Sequence, residues 1–222
     1  MDTKPILIVM LTQNDRTVMN AYDVFEQCRN STAEFYGFKE EPLSFHEMKE
    51  LFAYIKKCGK KTVLEVVAYG EEEGIAGART AAECGCDILM GTMYFDSVRD
   101  ICRENGIKYM PYIGNITDRP SVLNGNIDDM IREAEICIEK GVDGFDLLGY
   151  RYTGDAVMLN SRFSNEVNAS VCIAGSVNSY ERLDEIKAAS PWAFTIGGAF
   201  FDHRFGDSIS EQIDNVIEYI KR

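Results

Sequence analysis

Three ionisable residues stand where apolar neighbours surround them. Glu65 interrupts Val63-Leu-Glu-Val-Val67, Asp146 interrupts Gly144-Phe-Asp-Leu-Leu148, and Lys39 follows Phe35-Tyr-Gly-Phe38. A buried charge is costly unless it is partnered, so these positions are not arbitrary. A lysine facing a carboxylate can run acid–base chemistry. If burial lowers its pKa, it can also attack a carbonyl to form a Schiff base. A structural Lys39–Glu65 pair fits the same residues. Asp146 needs a partner, and Lys39 or Arg151 would serve. Arg151 could also clamp a substrate carboxylate or a second phosphate through its planar fork. We therefore take Lys39, Glu65 and Asp146 as the candidate catalytic set.

A second signal is a pair of glycine turns. Ile173-Ala-Gly-Ser-Val177 and Thr195-Ile-Gly-Gly-Ala199 each end an apolar run in small residues and lead toward a helix-compatible segment. Glycine lets backbone N–H groups approach an anion closely, and N–H groups at a turn suit phosphate oxygens. Gly175, Ser176, Gly197 and Gly198, with Arg151, form the candidate phosphate-binding set. Tight strand–helix packing is the bland alternative.

Other polar residues are weaker signals. Asp15 is read as capping the first helix, with a catalytic base as the alternative. His203 reads as a solvent-facing loop residue and His46 as exposed surface. Glu71-Glu72-Glu73 and Glu40-Glu41 read as helix N-terminal charges that complement the dipole. Tyr94, Tyr112, Tyr150 and Tyr152 either wall a pocket or fill the interior. With two histidines and no D-x-D-x-D spacing, no metal site is expected.

These residues need elements to hold them. Short apolar runs of strand character occur at 6–11, 34–38, 62–68, 88–92, 109–113, 144–148, 170–174 and 193–196, each followed by a helix-compatible segment. The clearest helical spacing lies at 44–57, 127–140, 180–189 and 210–220. Gly59, Gly85, Gly106 and Gly141 fall just before a strand, where a left-handed helix stop suits glycine. Strands alternating with helices require a parallel sheet. Eight such units in 222 residues predict a single (β/α)8 TIM barrel over residues 1–222. No dinucleotide-binding glycine motif supports an open doubly wound sheet. In the barrel, active sites lie at the C-terminal strand ends, and phosphate is often held by the loops after strands 7 and 8. The two glycine turns follow the seventh and eighth runs.

Composition narrows the partners. The formal charge of -13 opposes nucleic acid and anionic membrane surfaces. The first apolar run is too short for a signal sequence or span. The seven cysteines contain no C-x-x-C pair and read as reduced cytoplasmic thiols.

At Ala174-Gly175-Ser176 and Ile196-Gly197-Gly198-Ala199, the chain resembles the ribulose-phosphate-binding barrels. That superfamily includes phosphosugar epimerases, pathway isomerases and indole-glycerol-phosphate synthase. Phe35-Tyr-Gly-Phe-Lys39, Leu64-Glu-Val-Val67 and Asp146-Leu-Leu-Gly-Tyr-Arg151 resemble a bacterial group sometimes labelled 4-hydroxythreonine-4-phosphate dehydrogenase. The D-x-K-x-x-D motif of the decarboxylase and synthase branch is absent, as are the epimerase aspartate and histidine pairs. The resemblance thus implies the phosphate handle but no family's catalytic set. It implies an enzyme, a lyase or isomerase on a small phosphorylated molecule, with no cofactor expected and a homo-oligomer as one assembly. The alternatives are an oxidoreductase using FMN or NAD(P) and a non-catalytic ligand-binding subunit.

Overall fold

The computed structural model describes residues 4–222. Eight parallel strands form one sheet: β1 (Ile6–Met10), β2 (Phe35–Lys39), β3 (Lys61–Val66), β4 (Ile88–Gly91), β5 (Lys108–Met110), β6 (Gly144–Leu147), β7 (Ser170–Ile173) and β8 (Ala193–Ile196). Each pairs with its sequence neighbour except β5 with β6, and β8 returns to β1. The seam between β5 and β6 is thinner. Tyr112 bridges Asp146, and Asp146 N–H donates to Pro111 O at 3.0 Å. Strand β5 stops before its predicted end because Pro111 has no N–H to continue a ladder. The predicted (β/α)8 barrel is the observed fold.

Helices cover the outside: α1 (Ala21–Cys28), α2 (Phe45–Lys57), α3 (Glu71–Glu83), α4 (Asp96–Glu104), α5 (Ile127–Glu139), α6 (Ala156–Glu166), α7 (Tyr180–Ala189) and α8 (Ile209–Lys221). The four helix-stopping glycines all have φ between +67° and +91°, the left-handed conformation expected of them. Their substitution would strain the backbone even where space is open, as at Gly59 and Gly106.

Strand alternation builds the site. Successive residues face the helices or the barrel interior. Leu64, Val66, Phe145, Leu147, Val171 and Ile173 face outward into the main core. Ile8, Met10, Phe35, Val63, Ile88, Met90, Met110, Cys172 and Ala193 face inward and form an apolar floor. Two residues beyond that floor, the same inward face reaches Lys39 after Gly37, Glu65 after Val63 and Tyr112 after Met110. On β6 it reaches Asp146 after Gly144. Period two therefore sets the ionisable residues in one layer at the C-terminal end.

Two small ribbons close the mouth. One pairs Thr12–Gln13 with Arg16–Thr17 directly after β1. The other pairs Asn115–Thr117 with Val122–Asn124 after β5.

Candidate active site

Lys39 and Glu65 are register partners on β2 and β3. The Lys39 Nζ lies 3.0 Å from Glu65 Oε1 and 2.8 Å from Asp15 Oδ1. The Arg151 guanidinium reaches the same Asp15 oxygen at 2.9 Å. The Tyr112 hydroxyl donates to Glu65 Oε1 at 2.9 Å. The side chains of Lys39, Asp15 and Glu65 are each under a tenth exposed, whereas Arg151 is 23% exposed.

The first ribbon explains Asp15. Asn14 and Asp15 have φ of 51° and 63°, the left-handed pair of a two-residue hairpin turn. Asn and Asp tolerate that region better than most residues. The turn points Asp15 back over β2. Thr17 fixes the register by donating to Lys39 O at 2.8 Å while accepting from Lys39 N–H at 2.9 Å. Asp15 does not cap the first helix. Its N-cap position is Asn20, with no side-chain cap bond.

Charge states follow from these contacts. Burial would lower the Lys39 pKa, but Glu65 and Asp15 outweigh it and raise it above the ordinary lysine value. Burial would raise the Asp15 pKa, but Lys39 and then Arg151 bring it below the usual range. Lys39 is therefore held as an ammonium, not as a free amine. Asp146 is different. It is fully buried, both oxygens lack a hydrogen-bond partner, and neither Lys39 nor Arg151 bonds to it. The expected direct partner is absent among the described residues. Burial, reinforced by Glu65, pushes its pKa well above the carboxylate range.

A cavity of about 610 Å³ opens above this layer. Lys39, Glu65, Asp15 and Arg151 line it. Gly175, Ser176, Gly197 and Gly198 line it as well, so both glycine turns stand at one mouth. The N–H groups of those four residues enter no backbone–backbone hydrogen bond among the described residues. No lysine or arginine of the β7 and β8 loops lines the cavity, and Asp202 does. Asp146 lies beneath the wall.

The second ribbon roofs the cavity with Pro120, Ser121 and Val122. Tyr69 donates to Asp118 O at 2.8 Å and meets Ser121 Oγ at 2.8 Å. Arg119 reaches Glu40 at 3.3 Å and Glu41 at 2.7 Å. Glu40 and Glu41 thus serve the roof instead of a helix start, which Ser44 caps. Glu71–Glu73 do occupy the first turn of α3. His46 and His203 are exposed, as expected. The four candidate tyrosines do not line this cavity; Tyr112 fills the barrel and braces Glu65. No cluster of metal-ligating side chains occurs among the described residues, and no helix there is long and apolar enough to cross a membrane.

Sequence reasoning ranked Asp15 as a helix cap ahead of a base, did not join Tyr112 to Glu65, and did not anticipate the two ribbons. The Asn14-Asp15 pair was the available signal for the first turn. Nothing local marks the contact between Tyr112 and Glu65.

No protein-family model and no curated protein matches the chain. Its fold is similar to that of several solved structures. Orotidine 5'-phosphate decarboxylase from Pyrococcus horikoshii OT3 aligns with a TM-score of 0.71 at 11% identity, covering 98% of this chain and 100% of that one. Thiamine phosphate pyrophosphorylase from Pyrococcus furiosus gives 0.69 at 11%, covering 99% and 97%. N-(5'-phosphoribosyl)anthranilate isomerase from Pyrococcus furiosus gives 0.69 at 12%, covering 98% of each. The chain shares the (β/α)8 barrel fold of these structures. None of these three carries the 4-hydroxythreonine-4-phosphate dehydrogenase name that part of the sequence resembles.

Proposed function

We propose that this chain is an enzyme acting on a small phosphorylated metabolite, as a lyase or isomerase. One observation carries the reading: two glycine turns with backbone N–H groups not used in the main-chain network share a cavity with Lys39 and Glu65. The turns bind the phosphate. That remote binding energy holds the reacting carbons over the strand ends. The names of the similar structures, which include a phosphate-substrate isomerase and a decarboxylase, support the same general chemistry.

The charge states favour proton transfer over imine chemistry. A lysine held as an ammonium by two carboxylates is a poor nucleophile, but it stabilises an oxyanion and can donate a proton. Glu65 is the base that takes a proton from the substrate carbon. Arg151, partly exposed beside the cavity, orients the far end of the substrate. Asp146 acts on Lys39 and Glu65 from below.

The test is isothermal titration with inorganic phosphate. A β-carbon added at Gly198 meets nothing within 4 Å, so Gly198→Ala fits the fold while reaching into the proposed anion site. Wild type should bind phosphate, and Gly198→Ala should bind at least about tenfold more weakly with unchanged unfolding. Equal affinities would move the phosphate elsewhere and remove the reading.

A further inference from the structure

Four charged side chains of the barrel mouth cancel one another. Lys39 and Arg151 supply two cations, and Asp15 and Glu65 supply two anions, joined by contacts of 2.8, 3.0 and 2.9 Å. Asp146 is left over. It is 0% exposed, and neither carboxyl oxygen has a hydrogen-bond partner.

The groups facing Asp146 come from every neighbouring element. Glu65 lies on β3, Lys39 on β2 and Arg151 just beyond β6. Tyr112, at the end of β5, is its bridge partner, and Cys172 on β7 is its register partner. The Tyr112 hydroxyl is already donated to Glu65. Lys39 and Arg151 are already committed to other carboxylates. An ionised Asp146 would therefore add a third anion to two cations, beside Glu65 and out of water. Two neighbouring buried carboxyls do not both ionise without an added cation. Of these two, Glu65 has the ammonium and the tyrosine donor.

We propose that Asp146 carries the site's stored proton and is a positioning residue, whose neutrality keeps Lys39 on Asp15 and Glu65 and leaves Glu65 as the ionised base. The assignment deepens the proposed acid–base function and rests on it only in naming the pair that Asp146 serves. Environments that separate the protonation of two carboxyls divide acid from base. Ionising Asp146 would draw Lys39 away from Glu65, so the stored proton sets the alkaline limit of the site.

The test compares unfolding of wild type and Asp146→Asn between about pH 5 and 9. An unfolded aspartate ionises near about 3.9, whereas the folded Asp146 keeps its proton. The unfolded state thus binds fewer protons, and wild-type stability falls as pH rises. Asparagine mimics the neutral acid and removes that dependence. The folding constant of Asp146→Asn relative to wild type should climb about tenfold per pH unit, until the folded carboxyl itself ionises. A ratio flat with pH, or falling, overturns the proposal. A second measurement needs no variant to fold. Wild type labelled with carbon-13 aspartate should show, at pH 7, the infrared carbonyl band of a protonated carboxyl; absence of that band also overturns it. Phosphate titration reads separately. If wild type fails to bind inorganic phosphate while the protonated band persists, the functional reading falls and the proton assignment stands.

Discussion

Replacing Lys39 with methionine tests whether the Lys39 bridges are a buried electrostatic unit. Methionine keeps much of the lysine stem volume and removes the charge. In wild type, the ammonium touches Asp15 and Glu65 at 2.8 and 3.0 Å, with all three side chains under a tenth exposed. Removing one partner of a buried pair costs about 3–5 kcal/mol, because it strands a charge. Here Arg151 still holds Asp15 at 2.9 Å, so Glu65 alone is stranded, with only the Tyr112 hydroxyl left. The loss therefore belongs at the low end, about 3 kcal/mol. At this chain length each kcal/mol moves the melting temperature by about 2–4 °C, so Lys39→Met should melt roughly 6–12 °C lower. The sign with pH follows from the shifted groups. The lowered Asp15 pKa contributes stability present above the unfolded value and lost as pH falls through the folded one. The raised Lys39 pKa contributes stability present below the unfolded lysine value and lost as pH rises through the folded one. The deficit should consequently hold steady between about pH 5 and 9. Urea unfolding of Lys39→Met, Glu65→Gln and the double variant closes the cycle. The double variant should recover about 0.5–3 kcal/mol against the sum of the singles, the range for groups in contact. Additive singles, or a Lys39→Met loss below about 1 kcal/mol, the size of an exposed pair, would refute the reasoning.

Gly144→Ala should destabilise by at least about 2 kcal/mol, because the new β-carbon would lie 2.2 Å from the Ser170 carbonyl oxygen on the paired strand; a urea midpoint equal to wild type would contradict the inward packing of β6. Thiol titration with an aromatic disulfide should label Cys58 alone in the native protein and all seven cysteines after denaturation. Cys58 is half-buried and the others are buried, with burial raising the thiols of Cys28 and Cys137 to about 11 and of Cys86 and Cys102 to about 12. Rapid native labelling of several thiols would argue against this core.

The barrel was legible because strand and helix periods leave a repeated signature, and the four stopping glycines punctuate it at their left-handed positions. The position of the two glycine turns at one cavity was legible from their order, since placing them after strands 7 and 8 needs only a strand count. Glu65 and Lys39 were legible as charges on apolar strands, and their pairing follows from β2–β3 register. Asp15 was not. A short polar turn after β1 reads equally as a helix entry, and only the backbone path shows that it folds back over Lys39. The partner of Asp146 was misread for a related reason. Sequence demands a partner for a buried charge, but both nearby cations are taken by Asp15 and Glu65, which leaves protonation as the physical solution.

The same charge balance bears on the ligand. Lys39, Arg151, Asp15 and Glu65, which line the cavity, sum to zero, and Asp202 adds a negative charge near the β8 turn. The chain as a whole carries -13. Long-range attraction therefore cannot collect a phosphorylated ligand; that field opposes its approach. If the glycine turns bind the ligand as proposed, that binding has to come from short-range donation by N–H groups, whose dipoles act only over the first contacts. Such a site discriminates by shape. On the proposed reading, a phosphate seated in both turns would satisfy those donors, while a carboxylate would present too few oxygens to do so. In the proposed reaction the placement of Lys39 would follow the same logic: balanced at rest by two carboxylates, its ammonium would gain an advantage only when new negative charge develops above it, as in an enolate, where transition-state stabilisation exceeds ground-state binding.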